Sequence, residues 1–162
     1  MPINSEPCSF GKHQRLLTAS EFKAVFDGAC YKSSQRYLLF LARPNLLLNA
    51  RLGTVVSKKN AKLAVQRNRL KRLLREQFRL HQQILVGLDI VALVKPGLWQ
   101  QDNTAIVGLI DQQWERLIKQ HAKAHVKAEE IQHTQNQQSV LDLQRQKDAA
   151  NANDVLPSGG IT

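Results

Sequence analysis

Very little in this chain can serve catalysis by side chains alone. Of its 162 residues two are cysteines, one is methionine and only 6% are aromatic. Cys8 and Cys30 offer neither a metal-ligand spacing nor a disulfide framework, which fits a reducing compartment. No nucleophile elbow, phosphate-cradling glycine loop or Cys/His cluster is present, and the acidic residues are scattered rather than grouped as a two-metal site requires. His121 and His125 are four apart with His133 following, but they lie in a polar stretch and make a poor metal site. We therefore expect no catalytic residue and no protein-held metal. The N-terminus has no basic segment leading into an apolar one, and the longest apolar stretches, 37–42 and 84–94, fall short of the roughly 20 residues that span a bilayer. The expectation is a soluble cytoplasmic protein.

Acidic charge is also scarce, at 13 residues against 23 basic ones, a net +10. The excess is local. Residues 58–79 hold nine Lys/Arg and one Glu, which alone supplies +8 of that charge. Crowded like charges repel and do nothing for a fold, whereas a polyanion offsets the repulsion and releases counterions. A solvated helix face would mix signs for i,i+4 support, and a membrane-surface helix usually stands alone. This segment has only Glu76 and is flanked by strand patterns, so a nucleic acid is the expected partner. Asn68 between Arg67 and Arg69 adds donors and an acceptor beside forked guanidiniums, which suits folded RNA better than duplex DNA.

The pattern along the chain predicts alternating element types. Thr18 or Ser20 caps a short helix over 17–26, with Glu21 completing a capping box after Thr18 and Gly28 as the stop. Strands follow at about 30–32, at 37–42 and at 51–57. A helix over 62–81 places Leu70, Leu73, Leu74 and Leu80 on one side and Lys71, Arg72, Arg75 and Arg79 on the other. A buried strand at 89–94 stops at Lys95-Pro96-Gly97. Asp102 or Asn103 caps a last helix from 104 to about 123, with Ile106, Leu109, Ile110, Trp114, Leu117 and Ile118 inward. Beyond it, residues 123–162 are rich in Gln and Asn, expected as a solvated extension grading from frayed helix to disorder. Phe22, Phe26, Tyr37 and Phe40 are either core or the stacking wall of a groove made cationic by Lys12, Arg15, Lys23, Lys32 and Arg36.

Two blocks, Arg51-Leu52-Gly53-Thr54-Val55-Val56-Ser57-Lys58-Lys59 and Ala64-Val65-Gln66-Arg67-Asn68-Arg69-Leu70-Lys71-Arg72-Leu73-Leu74-Arg75-Glu76, resemble the signature of the bacterial ribonuclease P protein component. Phe10-Gly11-Lys12, Arg15-Leu16-Leu17, Phe22-Lys23-Ala24-Val25-Phe26-Asp27-Gly28 and Asp89-Ile90-Val91-Ala92-Leu93-Val94-Lys95-Pro96-Gly97 extend the resemblance. It implies an α+β fold, a two-layer α/β sandwich whose four-stranded sheet has α-β-β-β-α-β-α order and a left-handed crossover. The domain would occupy 10–122, after an N-terminal segment 1–9. It implies a subunit that binds the catalytic RNA and the 5′ leader of precursor tRNA and assists leader removal, with the chemistry on the RNA. Mg²⁺ would be held mainly by RNA and substrate phosphates. Lys58, Lys59, Arg67, Asn68, Arg69, Lys71, Arg72 and Arg75 would contact the catalytic RNA. Phe22, Phe26 and Phe40 would line the leader groove with Arg15, Lys23, Arg36 and Ser57, and neither DNA nor a membrane would be a partner. Asn60-Ala61-Lys62 departs from the glycine-containing turn of many members, so the approach to the basic helix is expected to differ. Two readings stand beside this one: an RNA-chaperone or ribosome-associated module without processing activity, and a helix-turn-helix DNA binder, disfavoured because the basic helix lies among strands.

Overall fold

Strands that are apolar at nearly every position, as 38–42 and 90–94 are, need cover on both faces, and the order of elements supplies it. The computed structural model describes residues 10–153, and the chain divides into two units, Met1–His121 and Ala122–Thr162. In the first, a 3-10 turn (Lys12–Gln14) leads into α1 (Ala19–Gly28), then β1 (Tyr31–Ser34), β2 (Leu38–Pro44), β3 (Arg51–Val55), α2 (Ala64–His81) and β4 (Leu88–Val94). A second 3-10 turn (Leu98–Gln100) precedes α3 (Asn103–Ala152). The sheet order is β1-β2-β4-β3, with β1–β2 and β2–β4 antiparallel and β3–β4 parallel. Joining parallel β3 to β4 requires a crossover, and α2 is that crossover.

Local chemistry explains the helix ends. The Thr18 hydroxyl accepts from the Glu21 amide at 3.3 Å and the Glu21 carboxylate accepts from the Thr18 amide at 2.9 Å, so Thr18, not Ser20, is the cap. Asp102 accepts from the Ala105 amide at 2.7 Å at the start of α3. The anticipated end of α3 near residue 123 is corrected: the helix runs to Ala152. Nothing between Gly108 and Pro157 breaks it, and its Ala, Gln, Lys, Glu and Leu residues are good helix formers. The expected disorder of the chain end, and the segment 1–9, lie outside the described residues.

Strand alternation sends alternate side chains to opposite faces. Leu38, Phe40, Ala42, Ile90, Ala92 and Val94 meet α2 and α3 through Leu70, Leu74, Phe78, Ile106, Ile110, Trp114 and Leu117, all buried in one cluster. Leu109 and Ile118 pack against it, as the periodicity predicts. On α2 the expected inner residue Leu80 is instead 58% exposed, while Gln77 and Phe78 are buried. The other face is thinner: Leu16, Val25 and Val91 are buried there, with Phe22, Leu41, Val55 and Leu93 only half-buried around them. One end of the sheet is closed by Asp89, buried and held bidentately by Arg51 at 2.6 and 2.7 Å and by the Asn45 amide at 2.9 Å. Arg51 also reaches Glu21 at 2.9 Å, tying α1 to β3.

Candidate nucleic-acid interface

The basic helix is aimed by its apolar side. With Leu70, Leu74 and Phe78 against the sheet, Asn68 and Arg72 are exposed and Lys71 and Arg75 are half-exposed. Among the described residues no carboxylate pairs with Arg67, Lys71, Arg72 or Arg75; the helix's one Glu, Glu76, pairs with Arg79 at 2.6 Å. That ion pair, through a hydrogen bond from Arg79, holds the Glu76 carboxyl below its ordinary value. Burial, then the neighbouring Arg15 guanidinium, lowers Arg75 from its usual value, so two cations face one another without a counter-charge.

Two clefts adjoin along this ridge. Phe10, Asn68, Arg72, Arg75, Glu76 and Arg79 line one, and the other runs past Phe10, Arg15, Phe22, Gly53, Lys71 and Arg75. Phe10 and Arg75 belong to both. Arg15 is brought here because Leu16 donates its amide to the Leu52 carbonyl beside β3, and its guanidinium lies 4.8 Å above the Phe10 ring. Phe22 is half-buried on the sheet over Gly53, where a Cβ would meet its ring at 2.5 Å. Only glycine leaves room for that ring. Phe26, one turn on, is 43% exposed, and Leu41, Leu93 and Val55 continue the apolar floor.

Several expected site residues sit elsewhere. Phe40 is corrected from groove wall to core: it is wholly buried on the opposite face of β2, its ring 4.5 Å from that of Trp114. It therefore cannot stack on a bound strand. Arg69 is not free for a phosphate, because it donates to Asn103 Oδ1 at 2.8 Å and to the Trp99 and Gln101 carbonyls at 3.1 and 2.8 Å, clamping α2 to the turn before α3. Arg67 donates to the carbonyls of Ala61 and Lys62, bracing the loop that enters its own helix. In that loop Asn60 donates to the Val94 carbonyl at 2.6 Å, tethering the approach to the basic helix to β4. Ser57 accepts from the Asn60 amide in the same turn, which leaves Lys58 and Lys59 exposed. Arg36 stacks over Tyr37 at 5.2 Å, near this same end of the sheet. Lys23 is exposed and pairs with Asp27 at 2.5 Å, an interaction that raises the ammonium above its ordinary value. Phe10 joins the site through tertiary packing that its sequence context does not reveal, edge-on against Phe78, 5.5 Å away.

The fold and this ridge define an RNA-binding α+β protein. The family model for ribonuclease P matches residues 10–121. The chain is 46% identical over 119 residues to the ribonuclease P protein component of Azotobacter vinelandii, covering 74% of this chain and 92% of that one. It is 50% identical over 110 residues to that of Pseudomonas entomophila, covering 68% and 83%. Its structure is similar to that of a mutant Staphylococcus aureus RNase P protein, with a TM-score of 0.58 at 25% identity, over 67% of this chain and 87% of the other. The chain belongs to the ribonuclease P protein family and is a subunit of that tRNA-processing endoribonuclease.

Proposed function

We propose that the protein holds two polyanions together, the catalytic RNA and the precursor tRNA, while the RNA performs the cleavage. Lys58, Lys59, Asn68, Arg72 and Arg75 meet the catalytic RNA, and the single-stranded 5′ leader runs along Phe22 and Phe26 past Arg15 and Lys71. Lys23, Arg36 and Ser57 border its path. The observation that carries this reading is that Arg75 and Phe10 line both clefts, so one cationic wall serves both strands. Stacking on Phe22 is sequence-tolerant, because every base has a π-face. Phosphate contacts by guanidiniums supply affinity and make it salt-dependent.

Among the described residues no three His, Cys, Asp or Glu side chains stand together as a metal site, and Asp89 and Glu21 give their oxygens to Arg51. These side chains do not fit a protein-held Mg²⁺, so we place that ion on RNA and substrate phosphates. No helix among the described residues is long and apolar enough to cross a membrane; we take the setting as the cytoplasm. The test is leader removal by the cognate catalytic RNA at low Mg²⁺, with and without the protein. Stimulated cleavage of leader-bearing precursor tRNA is expected. Tight RNA binding without stimulation would overturn the reading in favour of an RNA-chaperone role.

A further inference from the structure

The loops at the Asp89 end of the sheet have the opposite character to the RNA-facing ridge. Residues 44–50 and 82–87 contain no charged side chain, although the chain carries +10. The two loops lie together: Asn45 donates its amide to the Gly87 carbonyl at 2.9 Å, and Pro44 pairs with Leu88 in the β2–β4 register. From them Leu46 and Leu48 project almost entirely into solvent, at 98% and 96% exposure. Leu47, Ile84 and Val86 form a half-exposed ledge beside them.

This tip is built, not loose. Leu46 has φ of +58°, a left-handed conformation rare for leucine. Asn45 holds it there: its side-chain oxygen accepts from the Leu47 amide at 2.8 Å, and its side-chain nitrogen donates to the Asn49 carbonyl and to Asp89. A strained backbone that presents two leucines to water is unfavourable for an isolated monomer. Of the flanking cations, Arg51 is bound to Asp89 and Glu21 and Arg43 lies 3.9 Å from Asp89, while the exposed Lys12, next to His13 whose carbonyl accepts from Asn49, stands at the edge of the patch.

We propose that this pole is a self-association surface, on which the 46–48 tip of one copy packs against the 84–86 ledge of a second, and the reverse. A two-fold contact sets a patch against itself, so on a strongly cationic chain it needs a surface without net charge. These loops are such a surface, whereas RNA has no use for an uncharged aliphatic tip. Five aliphatic side chains a side fall below the roughly 1,600 Å² of a standard stable interface, so the dimer is weak and transient. It shares no residue with the two clefts, so RNA binding leaves it available.

The experiment is sedimentation equilibrium on the full, nuclease-treated, RNA-free chain, from low micromolar to near-millimolar protein. The wild type should show a monomer–dimer equilibrium that tightens as salt rises from about 0.1 to 0.5 M, because screening weakens the repulsion between cationic bodies. The double variant Leu46→Asn/Leu48→Gln should weaken the dimer by roughly tenfold or more. Asn suits the left-handed backbone at 46, so the variant keeps its fold, checked by an unchanged or raised Tm. A wild type that stays monomeric throughout overturns the proposal. So does a variant that associates equally well, which would put the contact elsewhere, or an association that weakens with salt.

Discussion

The two faces of the sheet are made of similar residues and do different things. Toward α2 and α3 it is sealed, with Phe40, Trp114, Phe78 and a dozen aliphatic residues buried together. Toward α1 it is only half-covered, since a ten-residue helix seats Val25 fully and Phe22 partly, leaving Leu41, Val55 and Leu93 accessible. The first face provides most of the stability. The second holds an aromatic ring and an apolar floor open beside cations. An aromatic residue on a strand of this protein has a role only once its face is known.

Paired substitutions break this comparison most sharply. Phe40→Ala should destabilise the fold by about 3–5 kcal/mol, the usual range for a large aromatic lost from a packed core. Phe22→Ala should change stability far less, yet weaken binding of leader-bearing over leaderless precursor tRNA by about 1–3 kcal/mol, the worth of one base–aromatic stack. Thermal melts and binding titrations with both substrates separate the two. Equal loss of leader preference in both variants would mean that the faces are not distinct in function.

A second pair sharpens the contrast within α2. Arg69→Ala should lower stability by roughly 1.5–3 kcal/mol, since a charged clamp on two carbonyls and Asn103 is removed, and should leave the salt dependence of RNA binding nearly unchanged. Arg72→Ala should do the reverse: an intact melt, and a salt slope smaller by about one unit. Salt titrations of RNA binding check both. The smallest effect concerns pH. Amide hydrogen bonds from Leu17 and Thr18, helped by Arg51, lower the Glu21 carboxyl from its ordinary 4.5. A depressed carboxylate stabilises the fold above its unfolded value, and that contribution is lost as pH falls through the folded value. Acid unfolding below about pH 4.5 should therefore be shallower in Glu21→Gln than in the wild type.

Much of this was legible beforehand. The capping box at Thr18, the leucines 70 and 74 behind the cations, and the inner face of α3 from Ile106 to Ile118 all follow from periodicity and hold in the structure. The failures share a cause. Leu80 lies about 80° around the helix from Leu70, on the side of the half-buried Leu73 and away from Leu74 and Phe78, so it falls at the edge of the inner stripe and faces water. Arg69 reads as one more cation of a motif, yet its partners are the carbonyls of Trp99 and Gln101, about thirty residues away. α3 runs unbroken past 123 because helix formers continue where apolar anchors thin, so the stretch expected as a frayed extension is helix as far as Ala152.

Composition and spacing by themselves determined that a leucine-backed cationic helix would sit among strands and seek a polyanion, because charge and periodicity are properties of the chain before it folds. Which side of β2 meets α1, and so whether Phe22 or Phe40 stays open to a ligand, was decided only by tertiary packing. Alternation separates the two sides of a strand, but it does not say which helix will cover each.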